Sequence, residues 1–229
     1  MGQCWTIEEL RQVEIFKTCT SRELESLLPH VYRRMYRKGQ LLFMEGDPRE
    51  RVYFLLDGYV KIERYNETAT HQYTDYLKPR QLFPYRGLLT ETYYQHSAEA
   101  LTDIEIVYMP TDRFEALVSK NASMLLHVVG QMNRILDLHE RRVQEIITPN
   151  ASERVLNTIH YLIEDLGEKE AGGIRVRCPF TTIELSRLSG TSRETVSHIL
   201  SRLRKEDILQ FDSRQLVTLH PEYFEQPTH

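Results

Sequence analysis

The sequence predicts an α+β protein in three parts, and three observations support that prediction. Residues 1–118 alternate short β-like runs with turn residues, as in a compact antiparallel barrel or sandwich. Residues 119–148 change to a helical hydrophobic period. Residues 149–229 contain two short helices that a glycine turn joins, followed by a hairpin pattern. We therefore expect a β-rich N-terminal domain, a long central helix and a small C-terminal domain.

Composition narrows the class of protein. The 229 residues are 41% hydrophobic and 27% charged, which is enough apolar material for a packed core. The longest apolar runs span about four or five residues, so we expect no transmembrane helix and no membrane partner. Residues 1–10 lack the basic and apolar parts of an export signal, which predicts a cytoplasmic protein. The net charge is −4, so a surface that binds nucleic acid would have to be local.

Motifs for catalysis and for metal binding are missing. The sequence has no CxxC pair, no helical zinc motif, and no phosphate-loop, dinucleotide-binding or nucleophile-elbow motif. It therefore predicts neither an enzyme nor a metal site. Three cysteines (Cys4, Cys19 and Cys178) are too few for a disulfide framework. A redox switch that joins Cys4 or Cys19 to Cys178 stays open.

The N-terminal part is predicted to begin with a helix and to continue in short strands. Thr20 and Glu23 have capping-box spacing, and apolar residues at helical spacing follow them. Five β-like runs rich in Val, Ile, Tyr and Phe come next, with turn residues between them: Gln40–Met44, Val52–Leu56, Tyr59–Arg64, Gln72–Leu77 and Glu105–Met109.

The central helix carries a narrow apolar seam. Its members alternate at spacings of four and three residues, as in a coiled coil, and they are Leu125, Val129, Met132, Leu136, His139, Val143 and Ile146. Such a helix is roughly 45 Å long, and a partner helix explains so narrow a seam better than packing on the chain's own barrel. We expect a parallel homodimer, with His139 as a tolerated polar position and an interface made by Leu125, Val129, Met132, Leu136 and Val143.

The segment after the seam predicts a break and a second helix. Thr148-Pro149-Asn150 ends the long helix, and Asn150 can cap the next one. Apolar residues at helical spacing predict a helix over residues 151–166, which Gly167 ends. A polar loop is expected over Glu168–Gly173.

Residues 181–205 have the pattern of a helix-turn-helix. Two capping boxes, Thr181-x-x-Glu184 and Thr191-x-x-Glu194, lie ten residues apart, and Gly190 ends the first helix. The second helix has a core face of Val196, Ile199, Leu200 and Leu203 and a polar face of Glu194, Ser197, His198 and Ser201. The runs Ile208–Phe211 and Leu216–Leu219 predict a β-hairpin after it, which would be a wing.

The polar face of the second helix suits the major groove of DNA. Arg193 in the first turn can bond bidentately to guanine, and the Glu194 carboxylate can accept from cytosine N4. Residues 181–205 hold five basic and two acidic side chains, a local charge of +3 in an acidic protein. Alternatives stay open, because helix-turn-helix patterns also occur in ordinary helical domains. In such a domain Glu194 would only cap its own helix. In another alternative the β-roll binds a ligand and the helix-turn-helix binds a protein partner.

At Ser192-Arg193-Glu194-Thr195-Val196 the sequence resembles the Crp/Fnr family of bacterial transcription regulators, and the resemblance extends over nearly the whole chain. Tyr36–Asp47 and Val52–Val60 are similar to the family's first two β-roll hairpins, and Ala100–Glu105 to a third recurring block. The resemblance implies a cyclic-nucleotide-binding-like β-roll as effector domain over 1–118, a dimerisation helix over 119–148, and a winged helix-turn-helix DNA-binding domain over 149–229. Phe83-Pro84 also resembles the Firmicute branch with regulators of the arginine deiminase pathway (ArcR-like).

The resemblance implies which residues contact double-stranded DNA. Residues that match Arg193 and Glu194 read guanine and cytosine in a TGTGA-type half-site, and those that match Ser192 and Thr195 contact phosphate. Some family members read a further base with arginine where this chain has His198, so we expect weaker or different readout there. The expected set also includes Thr181, Thr182 and Ser197. Two-fold symmetry implies half-sites about 34–36 Å apart, and RNA polymerase is a further expected partner.

The effector segment departs from the family's cyclic-AMP-binding pattern. Pro84 and Tyr85 stand where Gly-Glu is expected, and no arginine occurs between Arg86 and Arg113. A cyclic phosphate needs a guanidinium or several backbone donors, so we expect no cyclic AMP binding by the usual residues. An effector of unknown identity would meet Tyr85, Arg86, Gln95, His96 and Ser97. Arg86 or His96 could replace the missing phosphate-binding arginine. The alternative interpretation is that both are ordinary surface residues.

Other sensing chemistries of the family fit no better. An iron–sulfur cluster needs four cysteine ligands and the chain has three, so none is expected. Haem sensing would need an axial histidine, for which His71 and His96 qualify only by residue type. A form that binds DNA without any effector stays open. The residues distinguish neither activation from repression nor the target genes.

Overall fold

A computed structural model describes residues 5–65, 72–212 and 215–225. The chain forms two compact units, Met1–Arg134 and Ile135–His229. The helices are α1 Ile7–Gln12, α2 Ser21–Leu27, α3 Thr111–Val118, α4 Ala122–Ile146, α5 Ala151–Leu166, α6 Thr182–Ser189, α7 Arg193–Lys205 and α8 Glu222–Glu225.

Twelve strands form three antiparallel sheets in the described part of the chain. The strands of the first unit are β1 Tyr32–Tyr36, β2 Leu41–Phe43, β3 Arg51–Asp57, β4 Val60–Tyr65, β5 Gln72–Leu77, β6 Leu82–Phe83, β7 Ser97–Ala100 and β8 Ile104–Pro110. Those of the second unit are β9 Gly167–Glu170, β10 Gly173–Val176, β11 Leu209–Asp212 and β12 Gln215–Thr218.

The first unit is a β-roll of two four-stranded sheets, in the orders β1-β8-β3-β6 and β2-β7-β4-β5. The five predicted runs correspond to β2, β3, β4, β5 and β8, so the predicted antiparallel architecture is confirmed. Strand β1 gives no such signal, because only Tyr36 of its five residues is buried and no alternation results. The Thr20–Glu23 capping box is confirmed, with both of its hydrogen bonds present at the start of α2.

Two buried clusters form the core of the first unit. One joins the helices at both ends of the unit to the outer face of a sheet, through residues such as Leu10, Phe16 and Phe114. Met124 and Val128 of α4 also belong to it. The other fills the interior of the roll and is rich in aromatic rings. The roll is therefore closed by side chains of the chain itself.

The second unit packs α5, α6 and α7 together beside the sheet β11-β12-β10-β9. The predicted helix over residues 151–166 is confirmed, and the Asn150 side chain caps it by accepting from the Ser152 N–H at 2.9 Å. The loop predicted over Glu168–Gly173 is wrong, because these residues form much of the β9–β10 hairpin. Opposite charges across the hairpin explain the error. Glu168 pairs with Arg177 at 2.9 Å and Glu170 with Arg175 at 3.0 Å, which lets a polar segment form a strand.

Among the described residues no helix combines the length and apolar character that crossing a bilayer requires. The same part of the chain holds no group of three histidine, cysteine or acidic side chains placed to bind a metal ion.

Candidate functional site

The turn between α6 and α7 is built from local signals. Thr181 accepts from the Glu184 N–H at 3.1 Å and the Glu184 carboxylate accepts from the Thr181 N–H at 2.7 Å, so the first capping box is confirmed. Gly190 ends α6 in the left-handed region, with φ of 58°. The Thr191 N–H then donates to the Ser186 carbonyl at 3.0 Å. This arrangement satisfies the carbonyls at the end of α6 and reverses the chain within two residues.

The cap of α7 lies one residue later than predicted and does not involve the predicted pair Thr191 and Glu194. The N-cap of α7 is Ser192, whose hydroxyl accepts from the Thr195 N–H at 3.2 Å. The prediction of Thr191 was wrong because its hydroxyl lies 2.9 Å from that of Ser189 and belongs to the turn. Thr191 and Ser192 are both residues that cap helices well, so spacing alone did not separate them.

Helix α7 presents the two faces that its spacing predicts. Its core face is buried and consists of Val196, Ile199, Leu200 and Leu203. On the other side Arg193, Glu194, Ser197 and His198 are exposed, together with the cap residue Ser192. Four adjacent polar side chains at the start of a helix can therefore reach the edges of bases in a major groove.

The start of α7 carries an anionic side chain next to a cationic one. The backbone N–H of Glu194 itself, followed by the Ser192 hydroxyl, holds the pKa of the Glu194 carboxyl below its usual value. Glu194 is therefore an ionised acceptor near pH 7. Arg193 is exposed beside it and supplies the paired donors of a guanidinium. Acceptor and donor thus lie next to each other at one helix end.

The remaining predicted DNA contacts are less accessible. Thr181 and Thr182 are half-buried, and the Thr181 hydroxyl donates to the Glu184 carboxylate at 2.8 Å. Thr195 is also half-buried, with its hydroxyl 3.2 Å from that of Ser192. The β-hairpin predicted after α7 is confirmed: β11 and β12 pair from Leu209↔Thr218 to Asp212↔Gln215.

The predicted seam residues lie exposed on α4. Leu125, Val129, Met132, Leu136 and Val143 are between 36% and 58% exposed. His139 is half-buried, and the Ile146 side chain lies outside the described residues. A neighbouring side of the helix contributes Met124 and Val128 to the core of the first unit. One helix therefore has a packed face and an open apolar face.

The predicted effector residues do not form one open site. Tyr85 is half-buried against the first core cluster, and burial raises the pKa of its hydroxyl. Arg86 is exposed, as the surface interpretation predicted, and Gln95 is half-buried. The Ser97 hydroxyl accepts from the Glu45 N–H at 2.9 Å, which ties this segment to the turn after β2.

His96 is not a surface residue, so that part of the interpretation was wrong. Its side chain packs near the Phe43 ring, with the ring centroids 5.9 Å apart, and the residue is only 8% exposed. Burial, with smaller contributions from Arg86 and Arg64, lowers the pKa of His96 to about 4. The imidazole is therefore neutral near pH 7, because charging it would require desolvation of a cation. His71, the other haem candidate, lies outside the described residues.

Sequence reasoning missed an aromatic stack inside the roll. The rings of Phe43 and Tyr94 lie 3.8 Å apart, those of Phe43 and Tyr53 5.5 Å apart, and those of Tyr53 and Phe83 5.3 Å apart. These residues come from four separate segments, so no local spacing signals the contact. An open cleft of about 250 Å³ lies beside the stack and is lined by Leu42, Phe43, Asp47, Pro48, Glu50, Arg51, Tyr53 and Tyr94.

The described cysteines are buried. Burial raises the pKa of the Cys19 thiol to about 11, and burial also raises that of Cys178. Both side chains are therefore protonated near pH 7, whereas the reactive form of a cysteine is the thiolate. Cys19 and Cys178 lie in different units, and Cys4 lies outside the described residues.

Comparison with known proteins gives one family match in the N-terminal part of the chain and another in the C-terminal part. A family described as "Cyclic nucleotide-binding domain" matches residues 33–121, and a "Crp-like helix-turn-helix domain" matches residues 153–226. The chain is 27% identical over 199 residues to the transcriptional regulator ArcR of Staphylococcus haemolyticus, with 87% of each chain covered. It is 26% identical over 212 residues to the global nitrogen regulator of a Nostoc species, which covers 86% of this chain and 93% of that protein.

Solved structures show the same fold. FixK2 from Bradyrhizobium japonicum superimposes with a TM-score of 0.72 and 21% identity, over 87% of this chain and 99% of that one. A CooA mutant from Carboxydothermus hydrogenoformans gives a TM-score of 0.68 and 21% identity, over 98% and 96%. The relatives ArcR and the global nitrogen regulator are named as regulators and not as enzymes. With the two matched domains, they show that this chain belongs to the Crp/Fnr family and is a DNA-binding transcription regulator.

Proposed function

We propose that this regulator acts in the cytoplasm as a homodimer that binds a near-palindromic operator with TGTGA-like half-sites. The observation that supports this most strongly is the exposed first turn of α7, where Arg193 and the ionised Glu194 lie side by side. A guanidinium pairs with O6 and N7 of guanine, and a carboxylate accepts from N4 of cytosine. Adjacent residues can therefore read neighbouring G·C pairs.

The polar residues around this pair have supporting roles. The Ser192 hydroxyl accepts from the Thr195 N–H and donates to the Glu194 carboxylate, so a phosphate would have to compete with Glu194 for the hydroxyl hydrogen. Thr195 lies in the same first turn of α7 and would be a second hydroxyl donor to phosphate. Ser197 and His198 lie exposed for further contacts in the groove. Thr181 and Thr182 at the start of α6 would contact the sugar–phosphate backbone, and Thr182 is favoured because the cap uses the hydroxyl of Thr181.

The homodimer is supported by the open apolar face of α4. Its five exposed residues repeat at coiled-coil spacing over more than two heptads. Burial of apolar surface contributes roughly 25 cal/mol per Å², so pairing of two such helices would be strongly favoured over their exposure to water. Two copies of α7 related by a two-fold axis would then meet successive major grooves.

Regulation by cyclic AMP through the usual residues has no support in the roll. No arginine that could bind the phosphate occurs between Arg86 and Arg113, His96 in this stretch is buried and neutral, and the Phe43 ring lies beside it. We propose that any effector is a different small molecule, and that transcription is altered through contact with RNA polymerase. No iron–sulfur cluster is part of this proposal, since three cysteines supply too few ligands.

Fluorescence anisotropy tests the proposal. A labelled duplex with TGTGA and its inverted repeat is titrated with protein at fixed salt, against a scrambled duplex and one with a single half-site. We expect the palindrome to bind at least about a thousandfold more tightly than the scrambled duplex, and more tightly than the single half-site. Equal affinity for the palindrome and the scrambled duplex would contradict sequence-specific recognition.

A further inference from the structure

Arg154 in the first turns of α5 joins two segments that are distant in the sequence. Its Nη1 donates to the carbonyls of Thr148 and Pro149, at 2.9 Å each. Its Nε donates to the Ser189 carbonyl at 3.2 Å, and its Nη2 to the Gly190 carbonyl at 3.3 Å. One guanidinium therefore binds the linker after α4 with one side and the turn before α7 with the other.

The four acceptors are the groups that set the position of the recognition helix. Thr148 and Pro149 lie between the end of α4 and the Asn150 cap of α5. Ser189 and Gly190 end α6, in the turn that leads to the α7 cap. All four carbonyls belong to irregular backbone or a helix end, where no helical N–H is available to them. Their hydrogen bonds to Arg154 fix the turn of the helix-turn-helix to the linker after α4.

The shape of the guanidinium is essential to this link. Arginine has five donors in a rigid planar fork, so Nη1 and the Nε/Nη2 pair point in different directions. Lysine has its three donors on one nitrogen and cannot reach both segments in the same way. The partial negative charge at the end of α6 adds attraction for a cation at this position.

We propose that Arg154 is a positioning residue that sets the placement of α7 relative to the end of α4, and thereby the half-site spacing that the homodimer accepts. This inference rests on the proposed function, because spacing has a meaning only for two recognition helices on one operator. Arg154 need not touch DNA. Its loss would leave the base-reading side chains in place and would loosen the geometry with which the dimer presents them.

The test measures spacing tolerance rather than affinity alone. Three palindromes differ only in the spacer, which has the optimal length or is one base pair longer or shorter. One base pair rotates a half-site by about 35° and shifts it by about 3.4 Å. Wild type, Arg154→Gln and Arg154→Lys are titrated against each duplex, against a single TGTGA half-site and against a scrambled duplex. Arg175→Gln serves as the matched control, because it removes a guanidinium that pairs with Glu170 on the β9–β10 hairpin of the same unit.

We expect wild type and Arg175→Gln to lose about tenfold or more in affinity when the spacer changes by one base pair. Arg154→Gln and Arg154→Lys should lose only about threefold or less, and should still prefer the single half-site over the scrambled sequence. Thermal melting and helical circular dichroism establish that each variant is folded. If Arg154→Gln does not fold, Arg154→Lys decides the question, because it keeps the charge and removes the fork.

Three results would overturn the inference. The first is that a folded Arg154 variant loses as much affinity as wild type when the spacer changes by one base pair. The second is equal loss for half-site and palindrome, which would mean a general structural defect. The third is a wild-type dimer that is indifferent to the spacer. By contrast, a wild-type protein that does not prefer the half-site over a scrambled duplex would contradict the proposed function itself.

Discussion

The start of α7 and the segment 84–97 of the roll are both places where the family resemblance expects a ligand, and they are built in opposite ways. At the start of α7 the polar side chains are exposed, and Arg193 and Glu194 project from a rigid cap. In the segment 84–97 His96 is buried and Ser97 is bonded to the backbone of Glu45. The first site presents exposed polar groups, whereas these two side chains of the second are engaged within the protein.

The contrast teaches that exposure and internal bonding separate a site that is ready to bind from one that is not. DNA needs donors and acceptors that still have hydrogen-bonding capacity, and α7 supplies them. The stacked ring of Tyr94 and the buried, neutral His96 supply no cationic group for a small anionic effector. We therefore expect changes at α7 to alter DNA recognition, and changes in the segment 84–97 to alter mainly stability.

The largest effect is expected from the seam on α4, through which we propose that two copies of the chain pair. Val129→Glu combined with Leu136→Glu places like charges on both helices of the dimer interface, at a cost of several kcal/mol. We expect a monomer by sedimentation and a loss of palindrome affinity of about a hundredfold or more. Gln144→Glu adds a charge to an exposed position of α4 outside the seam and should remain dimeric. A double variant that stays dimeric would show that the copies associate elsewhere.

A smaller effect is expected from acid, which should lower the free energy of unfolding through His96 in the segment 84–97. His96 has a folded-state pKa of about 4, against about 6.5 in the unfolded chain. Between these values the unfolded state binds more protons, so stability falls as the pH drops. From pH 7 to pH 5 the loss is about 1–2 kcal/mol from this group. Urea unfolding at both pH values should show this loss in wild type and a smaller one in His96→Gln. Equal losses in the two proteins would show that His96 is not the group responsible.

Cyclic AMP is expected to have no measurable effect on stability. A nucleotide present at a hundred times its dissociation constant would stabilise the folded state by about 2.7 kcal/mol. We expect the Tm to be unchanged with millimolar cyclic AMP and to rise with the operator duplex, which serves as positive control. A clear rise in Tm with the nucleotide would mean that the β-roll binds cyclic AMP and would contradict this prediction.

The smallest change is expected from thiol reagents. Burial raises the pKa of Cys19 to about 11, and Cys178 is fully buried, so both thiols are protonated and shielded near pH 7. In a Cys4→Ser background, native protein should resist iodoacetamide at pH 7.5, while protein in denaturant reacts fully. Stoichiometric alkylation of the native protein would restore a redox role for these cysteines.

Local signals explain what the sequence predicted well. The Thr181 capping box, Gly190 and the core face of α7 depend on residues at most about a helical turn apart, and all three were predicted. The one-residue error at Ser192 arose because two neighbouring residues cap equally well. The seam on α4 was visible because coiled-coil spacing repeats along one helix.

Long-range contacts explain what the sequence did not predict. The burial of His96 follows from Phe43, which lies more than fifty residues earlier in the chain. No local pattern marks Arg154, and its proposed role depends on carbonyls 35 and 36 residues away. The β9–β10 hairpin was missed because its strands are held by charged pairs rather than by an alternating apolar pattern.

The most direct test of the central claim is a double-mutant cycle between Arg193 and guanine. Arg193→Ala and wild type are titrated against the TGTGA palindrome and against duplexes in which each guanine in turn is replaced by adenine. Lys205→Ala is the control, since it is an exposed cation at the far end of α7. We predict a coupling energy of about 1–3 kcal/mol between Arg193 and one guanine, and none for Lys205. Additive losses for Arg193 at both guanines would contradict base reading by this residue.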